Sequence, residues 1–126
     1  MPRDRYQHSL DELRSDVLSM GETVTERLDE SLEALERRDD ALARAVIDGD
    51  AQVNETYLEL EEQCVDLFAL QQPVAGDLRF VTASFKIITE LERIGDLAVN
   101  LANYALAARQ TVTPDVEIDA LGTAAH

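Results

Sequence analysis

Residues that cross-link, stiffen or turn a chain are scarce in this sequence of 126 residues. It has no tryptophan, three prolines, five glycines and one cysteine, and aromatic residues make up 5%. A β-sandwich or barrel needs more turn residues and more β-branched runs, so the composition favours helices. The single cysteine, Cys64, excludes a disulfide within the chain and fits a reducing compartment. Its place in an apolar helical stripe predicts a core residue, not a reactive thiol.

Basic side chains are also scarce. Lysine and arginine total 11 against 26 aspartate and glutamate residues, which gives a formal net charge of −15, and Lys86 is the single lysine. Such a chain repels nucleic acids and anionic lipids, so the composition argues against binding to nucleic acids. One interpretation is a halophilic source, in which salt screens the repulsion between carboxylates. The other is an acidic interaction protein that works at ordinary salt.

Long apolar segments are missing as well. No run approaches the roughly 18 apolar residues that a membrane-spanning helix needs. The first eight residues, MPRDRYQH, are polar and are not followed by the apolar segment of a signal peptide. The sequence therefore predicts a soluble cytoplasmic protein.

Apolar residues recur with the period of an α-helix in three long segments. The segments run from about Gln7 to Arg38, from about Asp40 to Gln71 and from about Gly76 to Arg109. Ser9 is a candidate N-cap for the first, and Pro73 ends the second because proline has no amide hydrogen to donate. The third is apolar around most of its girth, which predicts a central position. Short connections between helices of about 45 Å predict an all-α, antiparallel up-down-up three-helix bundle.

The bundle is predicted to cover residues 1–112, followed by a tail at 113–126. Within the tail, Ile118–Leu121 (IDAL) is similar to Leu10–Leu13 (LDEL) at the start of the first helix. The tail therefore either follows a linker into a further helix, which would begin a second copy of the bundle, or is a frayed acidic end.

Two carboxylates, Glu92 and Asp96, lie in the most apolar helix, one turn apart on the same face. Carboxylates are rarely buried without a partner that stabilises their charge. If the second and third helices fold back about Pro73, Glu92 faces Asn54 and Asp96 faces Asp50. Four oxygen-bearing side chains are therefore predicted to meet at one level of the bundle.

Gly49 and Gly95 flank that level, although glycine inside a helix costs about 0.5–1 kcal/mol relative to alanine. A close approach of the helix backbones around a metal cluster would explain them, and a tolerated bend is the alternative. Ligands that are all oxygen suit hard cations such as Mg²⁺, Mn²⁺ or iron. The competing interpretation of the carboxylates is a polar network between helices, in which Arg93 or Asn100 pairs with them.

Three segments resemble the PhoU family of phosphate-uptake regulators. Glu90–Asn100 (ELERIGDLAVN) resembles the family's signature, and Ile47–Asn54 (IDGDAQVN) resembles the paired motif on the preceding helix. Gln72–Pro73, followed by Asp77–Arg79, is similar to a connection between two helices of the family. The similarity covers about residues 8–109 in the right order and spacing.

The resemblance implies an all-helical protein, usually of two tandem three-helix repeats, whose acidic motifs hold clusters of iron, zinc, Mg or Mn. Carried over to this chain, the metal ligands would be Glu92, Asp96, Asp50 and Asn54, the last an amide where some members have a carboxylate. The resemblance also implies negative regulation of phosphate import. The implied partners are the ATPase subunit of the phosphate ABC transporter and a phosphate-sensing signalling protein, a histidine kinase in bacteria.

A single repeat sets this chain apart from the family pattern. Either it is half of a longer protein, or two copies associate as a homodimer through an exposed face of the bundle.

The leading hypothesis is a metal-binding regulatory module for phosphate uptake. A metal-free helical adaptor with structural carboxylates is the second. An enzyme is the third, which the sequence disfavours because it contains no nucleophile–base pair, P-loop or histidine cluster.

Overall fold

Three long helices pack side by side in the structure, a computed structural model that describes residues 2–70 and 75–111, with side chains for 5–69 and 75–108. Helix α1 spans Pro2–Arg37, α2 spans Asp40–Leu70 and α3 spans Ala75–Thr111. Each helix packs against both others, so the predicted all-α three-helix bundle is confirmed. The tail at 113–126 and the connection around Pro73 lie outside the described residues, and their predictions stay predictions.

Helix α1 begins earlier than predicted. It starts at Pro2, and proline suits the first helical position because its missing amide hydrogen and fixed φ cost nothing there. Ser9 lies inside the helix, where its hydroxyl donates to the Arg5 carbonyl at 3.1 Å, so its assignment as the N-cap is wrong. The additional turns of α1 place the Tyr6 side chain against the core, and this packing favours the longer helix.

The connection between α1 and α2 is a turn of two residues. Arg38 has a φ of 57°, in the left-handed region, and the Asp39 amide donates to the Ala34 carbonyl at 3.0 Å. These are the features of a Schellman C-cap. The Asp39 carboxylate then accepts the Leu42 amide at 3.0 Å, which makes Asp39 the N-cap of α2.

The core has two parts that differ in side-chain size. One half of the bundle is filled by large apolar residues, and Cys64 lies among them. Burial raises the pKa of the Cys64 thiol to about 11, and the charge of Glu61 is the second cause. Cys64 is therefore a core residue, as predicted. The other half, near the α1–α2 turn, is packed mainly by small residues: Ala34, Ala43, Val46, Ala98, Ala102 and Ala105. Small residues at helix contacts allow the helices to approach closely.

Helix α3 is not central. It contacts α1 and α2, as each helix of a three-helix bundle contacts the other two, and its remaining side faces outward. Ile87, Leu97 and Tyr104 on that side are 48%, 49% and 57% exposed. Apolar residues therefore cover more of the circumference of α3 than one three-helix bundle can bury. Within the described residues, no helix combines the length and the apolar character needed to cross a membrane.

We predict that Arg38→Gly raises the free energy of unfolding by up to about 1 kcal/mol. An L-residue in the left-handed region costs about 1–2 kcal/mol, and glycine removes that cost while it adds some entropy to the unfolded chain. Chemical denaturation measures the change. Arg37→Gly is the matched control, because Arg37 is helical and glycine there should destabilise the protein. Equal destabilisation by both substitutions would contradict this account of the turn.

Candidate functional site

Gly95 allows α2 and α3 to approach closely at the level of the predicted site. A Cβ atom on Gly95 would lie 3.2 Å from Cγ1 of Val53, which is tighter than ordinary packing. This agrees with the close approach expected from the sequence. Gly49 has another role, because a Cβ there would lie 2.6 Å from Cζ of Arg27. The expectation that Gly49 marks a second backbone approach is wrong, since its neighbour is an arginine side chain from α1.

Asp50 on α2 and Glu92 and Asp96 on α3 lie within reach of one another's charge. Burial raises the pKa of Asp50, and the negative charge of Asp96 raises it further. Burial is also the main cause that raises the pKa of Glu92, followed by the charges of Asp96, Asp50 and Glu61. Three of the four residues selected from the sequence therefore share one electrostatic environment at the α2–α3 contact.

Glu61 is a further carboxylate of this group that sequence reasoning missed. It is half-buried, and the Tyr57 hydroxyl donates to its Oε2 at 3.2 Å. Spacing could have found it, because Glu61 follows Asp50 by about three helical turns and so lies on the same face of α2. The fourth residue selected from the sequence, Asn54, has an exposed side chain, and its role as a ligand stays a prediction.

One oxygen of Glu92 is buried without a hydrogen-bond partner. Oε2 of this residue is the buried atom, and Asp96 and Asp50 add negative charge near it. Arg93, which a polar network would use to neutralise these carboxylates, instead pairs with Glu90 at 3.1 Å on the exposed surface. The network interpretation therefore has no support from Arg93.

The chemistry of these residues fits a hard cation, because a buried carboxylate oxygen without a donor is stabilised by a positive charge. Their present positions do not form a finished site. Among the side chains that the structure describes, no three His, Cys, Asp or Glu residues are grouped closely enough to hold a metal ion. Metal binding by Glu92, Asp96 and Asp50 therefore stays a prediction.

Comparison with known proteins relates the bundle to one family. The profile of the PhoU domain matches residues 17–105. The chain is 42% identical over 102 residues to the phosphate-specific transport system accessory protein PhoU of Edwardsiella tarda, and 39% identical over 102 residues to that of Escherichia coli K12. In both cases the similarity covers 81% of this chain and 42% of the relative, so the chain spans less than half the length of these curated relatives.

Solved structures give the same relationship. The crystal structure of PhoU from Pseudomonas aeruginosa matches with a TM-score of 0.82 and 33% identity, covering 94% of this chain and 58% of that one. The phosphate transport system regulatory protein PhoU from Streptococcus pneumoniae matches with a TM-score of 0.74 and 33% identity, covering 80% and 48%.

We predict that Glu92→Gln raises the melting temperature of metal-free protein at pH 7, by on the order of 3 °C. The pKa of Glu92 is raised in the folded state, so folding favours its protonated form. Its charge therefore destabilises the fold above the folded-state pKa, and this penalty disappears as the pH falls toward the unfolded value. The neutral amide removes the penalty at pH 7. Thermal melts in chelator between about pH 5 and about pH 7 test this.

Glu62→Gln is the matched control, because Glu62 is exposed and the substitution removes the same charge from the protein as a whole. We expect wild-type protein and Glu62→Gln to gain stability on acidification, and Glu92→Gln to gain less. If Glu92→Gln destabilises metal-free protein at pH 7, or shows the same pH dependence as the control, the carboxylate is not strained by its surroundings.

Proposed function

Because the chain belongs to the PhoU family, we propose that it regulates phosphate uptake as a helical module that catalyses no reaction. The observation that carries this proposal is the match of all three helices to accessory proteins of phosphate-specific transport. The proposed action is cytoplasmic and negative. The chain would restrain the phosphate ABC transporter through its ATPase subunit and would report to a phosphate-sensing signalling protein.

We propose that metal ions bind at the α2–α3 contact, with Glu92, Asp96 and Asp50 as ligands and Asn54 as a fourth. Supporting observations are the buried Glu92 oxygen without a hydrogen-bond partner and the raised pKa values of Glu92 and Asp50, both caused first by burial and then by the charge of Asp96. Iron, zinc, Mg or Mn would supply the positive charge that these side chains lack. With ligands from both helices, the residues would clamp α2 to α3 once a cation is bound.

A metal-free helical adaptor is the second candidate. The observation in its favour is that no three potential ligands are grouped in the described part of the chain. On this account, the carboxylates shape the surface or the fold, and regulation depends on protein contacts alone.

We predict that Glu92→Gln/Asp96→Asn loses both bound metal and regulation. Wild-type protein, purified in high salt on a column that carries no metal, should contain stoichiometric metal by elemental analysis, because its Glu92 and Asp96 carboxylates are intact. It should also co-purify with the transporter ATPase subunit and restore phosphate repression in a strain that lacks its own PhoU protein. The double variant should contain less than about a tenth of the metal and fail in both assays.

The control is Glu59→Gln/Glu62→Gln, which removes the same charge from the exposed side of α2 and should behave as wild type. A folded Glu92→Gln/Asp96→Asn protein that still represses uptake would identify the adaptor. Phosphatase turnover that disappears in the double variant would instead identify an enzyme. Failure of the wild-type protein to bind the ATPase subunit or to restore repression would refute the regulatory proposal.

We infer that the chain acts as a homodimer, since α3 exposes large apolar residues, among them Ile87, Leu97 and Tyr104, that the described part of the chain does not cover.

We propose that the protein is adapted to high salt, on the strength of its net charge of −15 and its single lysine. Counterions at about 2 M salt reduce the range of repulsion to a few ångströms, so the folded state should gain stability. The melting temperature should rise by on the order of 10 °C between about 0.1 M and about 2 M KCl. A melting temperature that stays constant or falls as KCl increases would instead favour an acidic interaction protein that works at ordinary salt.

A further inference from the structure

We draw no further inference here: the strongest candidate, the open apolar groove that Leu18, Ile87 and Leu91 line between α1 and α3, carries nothing further because no feature of the described residues shows what covers it.

Discussion

The contact between Val53 and Gly95 fixes how closely α2 lies against α3, and the candidate site is built around it. Val53 is buried, and the missing Cβ of Gly95 leaves the space into which its Cγ1 packs. Asp50 lies one turn before Val53, and Asp96 directly follows Gly95, so the same contact sets both carboxylates at one height. It also marks the change from the large-residue half of the core to the alanine half. A bulkier residue at position 95 would separate the helices and the carboxylates together.

Carboxylates occupy two kinds of environment in this acidic protein. Most are exposed, where water solvates them and local arginines form pairs of little energetic consequence, such as Arg37 with Glu33. Asp50 and Glu92 differ, because burial and neighbouring negative charge raise both pKa values. A group strained in this way gains more from a cation than an exposed carboxylate does. Binding of an ion to the folded form would therefore stabilise the fold and link its stability to cation concentration.

Helical periodicity predicts the three helices well because a long buried stripe has to recur every 3.6 residues, whatever else the chain does. The fold-back about Pro73 similarly predicts which heights of α2 and α3 meet, since two straight antiparallel helices leave little freedom of register. These two constraints bring Asp50 and Asp96 together from sequence alone.

The structure differs from the predictions where one sequence pattern is compatible with more than one structure. Ser9 and Glu12 have the spacing of a capping box, but packing of Tyr6 extends α1 beyond them. The alanines of the second core cluster were missed because small side chains carry little weight in a hydrophobic pattern, although they pack best where helices are close. Gly49 was misassigned because a glycine shows that space is needed but not what fills it, and here Arg27 does.

Helix α3 combines two surfaces that its apolar girth alone does not distinguish. Toward α2 it presents Gly95, Glu92 and Asp96, and toward solvent beside α1 it presents Ile87 and Ile94. A single bundle can bury only one side of a helix, so these outward apolar residues lie outside the core that the described helices form. Both surfaces belong to one rigid element. A change in the spacing of α2 and α3 would therefore move Ile87 and Ile94 together with the carboxylates.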